Sequence, residues 1–276
     1  MGNGKRVWTS AKLVFASMSI ALGAQAGEFN LKSAQPKRWS IEWGWDNESY
    51  AKSDIHFTGK DHDFTLWGVN AKDTQKTLTP GTLFNTYLNP GKITIPQTNF
   101  RLAYQYSSDT AFALNLDHMK YVVSDGQTVA ASGRYLSTTY ANQATQYLSP
   151  AYMHYEHTDG LNVLTLEYEK RYPFDLFGHG IKTRAFVLGG AGVVIPKSNV
   201  TLNMLNQARN DKFHLAGTSF DVGTGLEIDF FTDFYARTSF KMGQVHLPEV
   251  VTSARQDKAS QTIRFKEASV AVGMRF

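Results

Sequence analysis

The sequence predicts an all-β protein, an eight-stranded antiparallel up-and-down transmembrane β-barrel with long extracellular loops. Three observations support this fold class. Large apolar residues alternate with small or charged residues in most of the candidate strands, the connections between strands alternate between short and long, and charged side chains fall on the opposite face from the apolar ones.

The first 26 residues have the pattern of a secretory signal peptide. A basic region ends at Lys12, an apolar stretch covers 13–22, and Ala24-Gln25-Ala26 supplies a cleavage site with small residues at its outer positions. The uncharged run 13–27 is too short to span a bilayer comfortably. We therefore expect 1–26 to be a signal peptide and 27–276 to form the barrel domain.

Composition excludes several classes of protein. The chain has no cysteine, so disulfide frameworks, zinc-thiolate sites and thiol nucleophiles are impossible. Most of the net charge of +4 comes from the three basic residues of the signal peptide. The remaining chain is nearly neutral, so no nucleic-acid partner is expected.

The strand pattern is clearest at 39–46, where Trp39, Ile41, Trp43 and Trp45 alternate with small or acidic residues. The same period of two recurs along the chain at 99–106, 112–117, 164–169, 220–230, 234–242 and 267–276. An eighth strand, 181–194, is apolar on both faces and contains three glycines. Its facing cannot be assigned from sequence, and the glycines indicate a bend or close packing.

The connections alternate in length. Tight turns are predicted at 107–110 and 232–233, and a moderate one at 171–180. Long stretches are predicted at 47–98, 124–160, 195–213 and 245–261. Short links on one side and long loops on the other are typical of a bacterial outer-membrane barrel with periplasmic termini.

The direction of the apolar face separates two kinds of barrel. In a soluble barrel of the lipocalin type the charged face would be the solvated exterior, whereas in a membrane barrel it lines the lumen. Aromatic residues near strand ends suit the interfacial girdles of a membrane barrel. We therefore place the following charged residues in the lumen: Glu42, Arg101, Asp117, Glu167, Glu169, Asp221, Glu227, Asp229, Arg237, Lys241, Glu267 and Arg275.

The residues 270–276, which alternate and close on the aromatic Phe276, resemble the recognition signal of barrels inserted by the bacterial barrel-assembly machinery. The architecture looks like that of OmpA-like membrane domains, OmpW-like proteins and lipid A-modifying barrels. Internal segments at 87–90, 95–97, 117–121 and 156–160 are similar to a group of uncharacterised outer-membrane barrels. The resemblance implies export through the periplasm, a place in the outer membrane, and contact with its lipid and lipopolysaccharide. It implies no known activity.

Histidines and acids of the predicted external loops could form a metal site. The candidate ligands are His56, His62, His154, His157 and Asp159. Their spacing matches no diagnostic zinc motif, so the alternative interpretation is that these are solvated loop residues with no metal. No cofactor is expected.

Three function classes stay open. The barrel could be a structural or surface-interaction protein with a filled lumen, a small-solute channel of the OmpW-like type, or a lipid A-modifying enzyme. The enzyme hypothesis requires a serine, a histidine and an acid close together, and His118 has Lys120 rather than a serine beside it.

The tyrosine-rich, uncharged run 135–155 has the composition of an adaptable binding loop. We expect a lumen closed by charge pairing, although the assigned acids outnumber the bases. The sequence does not indicate the oligomeric state.

Overall fold

The computed structural model describes residues 37–74, 79–89, 92, 97–175, 181–210 and 212–276. The predicted signal peptide, 1–26, lies outside the described residues. In chain order the strands are β1 (Trp39–Tyr50), β2 (Ser53–Gly59), β3 (His62–Val69), β4 (Ala71–Lys72), β5 (Thr98–Gln105), β6 (Thr110–Val123), β7 (Gln127–Tyr135), β8 (Thr138–Thr139), β9 (Thr145–Leu148), β10 (His154–Phe174), β11 (Thr183–Pro196), β12 (Asn199–Thr201), β13 (Gly217–Asp229), β14 (Phe234–Val251) and β15 (Lys258–Arg275).

Short helical turns occur in two connections. An α-helical turn, Pro80–Thr82, continues into a π-helical turn, Leu83–Tyr87, between β4 and β5. A 3-10 turn, Asn203–Leu205, lies between β12 and β13. Among the described residues, no helix is both long and apolar enough to cross a membrane.

Eight of the strands form a closed antiparallel ring in the order β1, β5, β6, β10, β11, β13, β14 and β15, and β15 pairs back to β1. Trp43 lies opposite Val272 at this seam, and the backbone N–H of Phe276 donates to the carbonyl oxygen of Trp39 at 2.9 Å. Closure leaves no barrel strand with an unpaired edge inside the ring. The predicted eight-stranded barrel is confirmed. Recognition of Phe276 by the assembly machinery stays a prediction.

The apolar face points outward around this ring. On β15, Val272 is 46% exposed whereas the inward-facing Glu267 is 1% exposed. Large apolar side chains are exposed in the same way along the other barrel strands, for example at Leu166 on β10 and Phe220 on β13. An exposed apolar band around a barrel with a charged interior is the arrangement required by lipid, so the transmembrane fold class is confirmed.

The strands are longer than the sequence pattern predicted. The predicted long loop 245–261 is wrong, because β14 continues to Val251 and β15 begins at Lys258. The reason is an exchange of faces. Val245, Leu247 and Val250 are buried on the inside, in line with Lys241 further down the strand, while the outward positions become polar. A prediction that requires apolar residues on the outward face therefore ends these strands too early.

The other predicted loops also contain regular structure. The stretch 47–98 includes β2, β3 and β4, the stretch 124–160 includes β7, β8, β9 and the start of β10, and 195–213 includes β12. Beyond the membrane, β15 pairs with β2, followed by β3, β7 and β9. The barrel wall therefore continues into an outer sheet, which we define as β2, β3, β7 and β9.

An apolar core fills the space enclosed by the outer sheet and the upper parts of the barrel strands. Phe57 and Phe64 stack with ring centroids 4.9 Å apart, and the ring of Tyr155 meets Phe57 edge-on at 5.8 Å. We call this group the apolar cap; it comprises buried residues that include Ile55, Phe57, Phe64, Leu66, Met119, Tyr121, Val129, Leu148, Tyr155, Val200, Val245, Leu247 and Ile263. The cap lies inside the outer end of the barrel, above the charged lumen.

Candidate functional site

The middle of the lumen is organised around Arg101 on β5, whose side chain is 2% exposed. Its Nη1 donates to Glu42 Oε1 at 2.8 Å and its Nε donates to Glu167 Oε2 at 2.8 Å. Its Nη2 donates to Glu169 Oε2 at 2.9 Å. One guanidinium therefore connects carboxylates from two other strands, β1 and β10, across the bore.

Arg237 on β14 completes this layer from the other side of the barrel. Its Nη2 donates to Glu169 Oε2 at 2.6 Å, and its Nε lies 3.3 Å from Glu42 Oε2. Its guanidinium carbon lies 3.6 Å from the ring centroid of Phe186. Glu42 and Glu169 are therefore shared between two arginines, which offsets the cost of burying the charges.

A second layer of charged residues lies at the end of the lumen near the short turns. Glu227 Oε1 accepts from Arg184 Nε at 2.8 Å and is also paired with Arg275, and Arg275 Nη2 lies 2.9 Å from Asp229 Oδ1. Arg171 Nε donates to Glu169 Oε1 at 2.5 Å, which links this layer to the one above.

A third layer lies towards the outer end. Lys241 Nζ donates to Asp117 Oδ2 at 2.6 Å and lies 3.1 Å from Glu267 Oε1. Asn115 donates to the same Asp117 oxygen at 2.8 Å. Carboxylate oxygens of Asp46, Asp117 and Glu267 approach one another within 4.8 Å, and in the described part of the chain this is the one group of three or more such ligands that converges.

All of the residues assigned to the lumen from the sequence lie on inward-facing positions. The sequence reasoning missed four others: Asp46, Glu48, Arg171 and Arg184. The sequence pattern predicts a turn at 171–180, which is wrong for Arg171 because β10 continues to Phe174. Arg184 lies on β11, whose facing the pattern does not determine. The two additional arginines add bases near the short turns, but Asp46 and Glu48 add as many acids, so the overall excess of acids in the lumen is unchanged.

The facing of β11 follows from these contacts. Arg184, Phe186 and Leu188 point inward, whereas Val187 is exposed to the outside. Gly190 also lies on the inward face, and a Cβ atom there would lie 3.1 Å from Asp221 Oδ1. A larger residue at 190 would therefore compete with the buried Asp221 carboxylate for the same space.

A small cavity lies between the charged layers. It has a volume of about 10 Å³ and lies between Arg101 and Lys241, with Asn99, Ser239 and Ser269 among the lining residues. This volume holds about one water molecule.

The apolar cap begins directly above the third layer. Phe265 follows Glu267 on the inward face of β15, and Tyr121 follows Met119 on the inward face of β6. The hydroxyl of Tyr121 accepts from Gln261 Nε2 at 2.6 Å and lies 3.0 Å from Ser53 Oγ. The phenol is therefore satisfied within the cap.

The candidate metal ligands from the predicted loops do not converge on one site. His56 Nε2 lies 2.9 Å from Asp63 Oδ1, and His154 Nε2 lies 3.1 Å from Glu156 Oε2. Asp159 pairs with Lys197 at 2.8 Å, whereas His62 and His157 are buried in different surroundings. Nothing in this placement supports the metal-site hypothesis for these five residues.

The tyrosine-rich run 135–155 does not form an open binding loop. Tyr152 and Tyr155 are buried, and the Tyr140 hydroxyl lies 2.6 Å from the Tyr152 hydroxyl. Tyr147 is the exposed member of the group. The other tyrosines contribute to the apolar cap or pack against it, so the adaptable-surface interpretation applies to Tyr147 alone.

One serine–histidine pair was not predicted. His157 Nδ1 lies 2.7 Å from Ser198 Oγ, and both residues are buried beside Tyr121 and Tyr155. Among the described residues, the second ring nitrogen of His157 has no hydrogen-bond partner. A catalytic triad needs an acid at that nitrogen and a serine open to substrate, so the pair lacks both requirements.

No protein-family model matches the chain, and no curated relative matches it. Solved structures similar to it include the Neisserial surface protein A, at 11% identity and TM-score 0.37, covering 86% of this chain and 97% of that one. The outer membrane protein OprG from Pseudomonas aeruginosa matches at 10% identity and TM-score 0.35, over 87% and 97% of the two chains. The Yersinia pestis protein Ail matches at 10% identity and TM-score 0.33, over 88% and 100%. Similarities this low carry no argument about activity or ligand.

Removal of Arg101 should destabilise the barrel strongly. Arg101→Ala leaves Glu167 buried without its guanidinium partner and removes one of the arginines that pair with Glu42 and Glu169, so we expect a loss of about 3–5 kcal/mol in the free energy of unfolding. Urea titrations in lipid vesicles measure this difference. Arg134→Ala, at an exposed position of β7, is the control and should change stability little. Equal stability of the two variants would contradict the central role of Arg101.

The stability of the apolar cap should decrease in acid. His157 lies outside the lipid-facing band, and burial lowers its pKa from 6.5 to about 3. Because the unfolded chain binds the proton more readily, this contribution is complete above pH 6.5 and is lost progressively as the pH falls towards 3. Near pH 5 the loss is roughly 2 kcal/mol.

Unfolding titrations at neutral and acidic pH test this dependence. His157→Gln cannot titrate in this range and should flatten the pH profile. A wild-type profile that is flat between pH 7 and 5 would rule out the buried neutral histidine as a source of pH sensitivity.

Proposed function

We propose that this chain is a bacterial outer-membrane barrel with a closed lumen, and that it serves as a structural or surface-interaction protein rather than a pore. The observation that carries the proposal is the contact of Arg101 with three carboxylates from two strands in the middle of the bore. An eight-stranded barrel is narrow enough for side chains to fill, so a few such contacts are sufficient to obstruct it.

Two further features support closure. The cavity between Arg101 and Lys241 accommodates about one water molecule. The apolar cap then occupies the outer end of the same passage, and its interior offers few polar groups to a hydrated solute. A solute would have to displace both an ionic network and a packed apolar core.

The outer sheet supports a role at the cell surface. It extends the barrel wall beyond the lipid-facing band and presents ordered strands with exposed side chains, including Trp67 and Tyr147. Aromatic side chains of this kind provide contact area at low entropic cost. The sheet is therefore a rigid platform for contacts with a partner outside the cell.

Planar-bilayer recordings test the closed lumen. We expect the purified wild-type barrel to give no large, stable conductance steps, and a purified wide porin inserted under the same conditions shows that the assay detects channels. Stable open channels of the wild-type protein would overturn the proposal and favour the channel alternative.

The lipid A-modifying alternative gains no support, because His118 Nδ1 pairs with Asn162 Oδ1 at 2.8 Å rather than with a serine.

Lipopolysaccharide is the proposed lipid partner at the outer interface. On the outward face of β15 the apolar residues from Met274 to Ala268 are followed by Lys266 and Arg264, both exposed. The residues opposite these cations are Met242, Gln244 and Ser49, none of which is acidic. Two cations at the edge of the lipid-facing band, with no acid opposite, suit the phosphate groups of an anionic lipid.

Thermal unfolding in vesicles tests this contact. Lipopolysaccharide should raise the midpoint of the wild-type protein above that in phosphatidylcholine alone, and the double variant Arg264→Ala/Lys266→Ala should lose most of that increase. Lys258→Ala is the matched control, because Lys258 lies on the same face of β15 but already pairs with Glu249 at 2.6 Å. If lipopolysaccharide stabilises the double variant as much as the wild type, the two cations are not its binding site.

A further inference from the structure

The connection between β4 and β5 places a helical turn, residues 80–88, against the outside of the barrel. The ring of Tyr87 meets Trp45 edge-on with centroids 6.1 Å apart. Trp45 is the last apolar residue on the outward face of β1, since the next outward residue is Asn47. The helical turn therefore lies at the outer edge of the lipid-facing band.

The two sides of the helical turn differ in exposure. Thr86 and Tyr87 are buried, whereas Phe84 is 68% exposed and Leu88 is 46% exposed. Phe84 and Leu88 are four residues apart, which places them on one side of a helical turn. They form an apolar ridge that points away from the protein at the depth of Trp45.

The composition of the segment suits a membrane interface. The chain carries no charged residue from Thr77 to Gly91, and this stretch is flanked by Lys76 and Lys92. The segment is uncharged rather than uniformly apolar, and a flanking lysine can extend its ammonium group towards lipid headgroups while its stem remains in apolar surroundings.

At the start of the helical turn, backbone N–H groups are hydrogen-bonded to side chains of the same segment. The backbone N–H of Thr82 donates to Thr79 Oγ1 at 3.1 Å, and the backbone N–H of Thr79 donates to Thr82 Oγ1 at 2.7 Å. Reciprocal capping of this kind reduces the number of backbone donors that would otherwise require water. A segment with paired backbone groups costs less to place in a lipid interface.

From these observations we infer that residues 80–88 insert into the outer leaflet, with Phe84 and Leu88 among lipid acyl chains. The occupant of the apolar ridge is lipid rather than a protein, because the ridge is at the level of the lipid-facing aromatic residues of β1. The helical turn then anchors the start of the extracellular region to the bilayer surface.

Site-directed spin labelling tests the inference without background, since the chain has no cysteine. Single nitroxide labels at Phe84→Cys and Leu88→Cys are compared with Leu166→Cys, on the lipid-facing side of β10, and with Tyr147→Cys, on the outer sheet. The proteins are reconstituted in phosphatidylcholine vesicles, and collision rates with oxygen and with a water-soluble nickel chelate are measured. Heat-modifiable migration on gels verifies that each variant is folded.

Labels at 84 and 88 should show an oxygen-to-nickel ratio close to that at 166 and several-fold above that at 147. A ratio like that at 147 would place the ridge in water and overturn the inference. Protection from both reagents would mean that a second copy of the chain covers the ridge, and would also overturn it. None of these outcomes depends on conductance, so the closed-lumen proposal is tested separately.

Discussion

The contact between Arg101 and its three carboxylates is the interaction on which the lumen depends. A guanidinium presents several donors in a fixed plane, so it can bind carboxylates from different directions at the same time. Here the partners come from β1 and β10, and Arg237 reaches two of the same acids from β14. Four strands that are not all neighbours in the sheet are thus held together across the bore. Backbone hydrogen bonds between neighbouring strands form the barrel wall, and the layer of arginines and carboxylates connects opposite sides of the wall across the lumen.

The same strands meet two different surroundings along their length. In the membrane the outward side chains contact lipid and the inward ones are polar, whereas beyond it the inward side chains are apolar and the outward ones face water. On β15 the inward series passes from Glu267 to Phe265 and Ile263, while the outward series passes from Ala268 to Lys266 and Arg264. The exchange of faces occurs within two residues, at one level of the barrel.

This exchange explains how far the sequence could predict the structure. Alternation in segments such as 39–46 and 267–276 was sufficient to predict the barrel, its number of strands and its lipid-facing side. It could not predict the outer halves of β14 and β15, because a lipid-facing interpretation treats outward lysines and arginines as the end of a strand. The predicted loops therefore contained the residues of the apolar cap.

The alternation along each strand was sufficient to predict which charged residues face the lumen, but it could not predict which of them pair with one another. Arg101 and Glu169 are far apart in sequence, and only the ring order brings their strands face to face. Arg184 escaped prediction because β11 has apolar or small residues on both sides. The His157 and Ser198 pair carried no signal in sequence, since it depends on the pairing of the short strand β12 with β10.

The pairing of β15 has a consequence for how the outer sheet is attached. This strand pairs with β14 along its length, with β1 in its lower part and with β2 in its upper part. Among the described strands, β2 joins the barrel wall only through β15, which lies at the opposite end of the chain. The outer strands β2 and β3 are therefore hydrogen-bonded to the ring through β15. Closure of the ring and pairing of the outer sheet with the barrel wall therefore depend on the same strand.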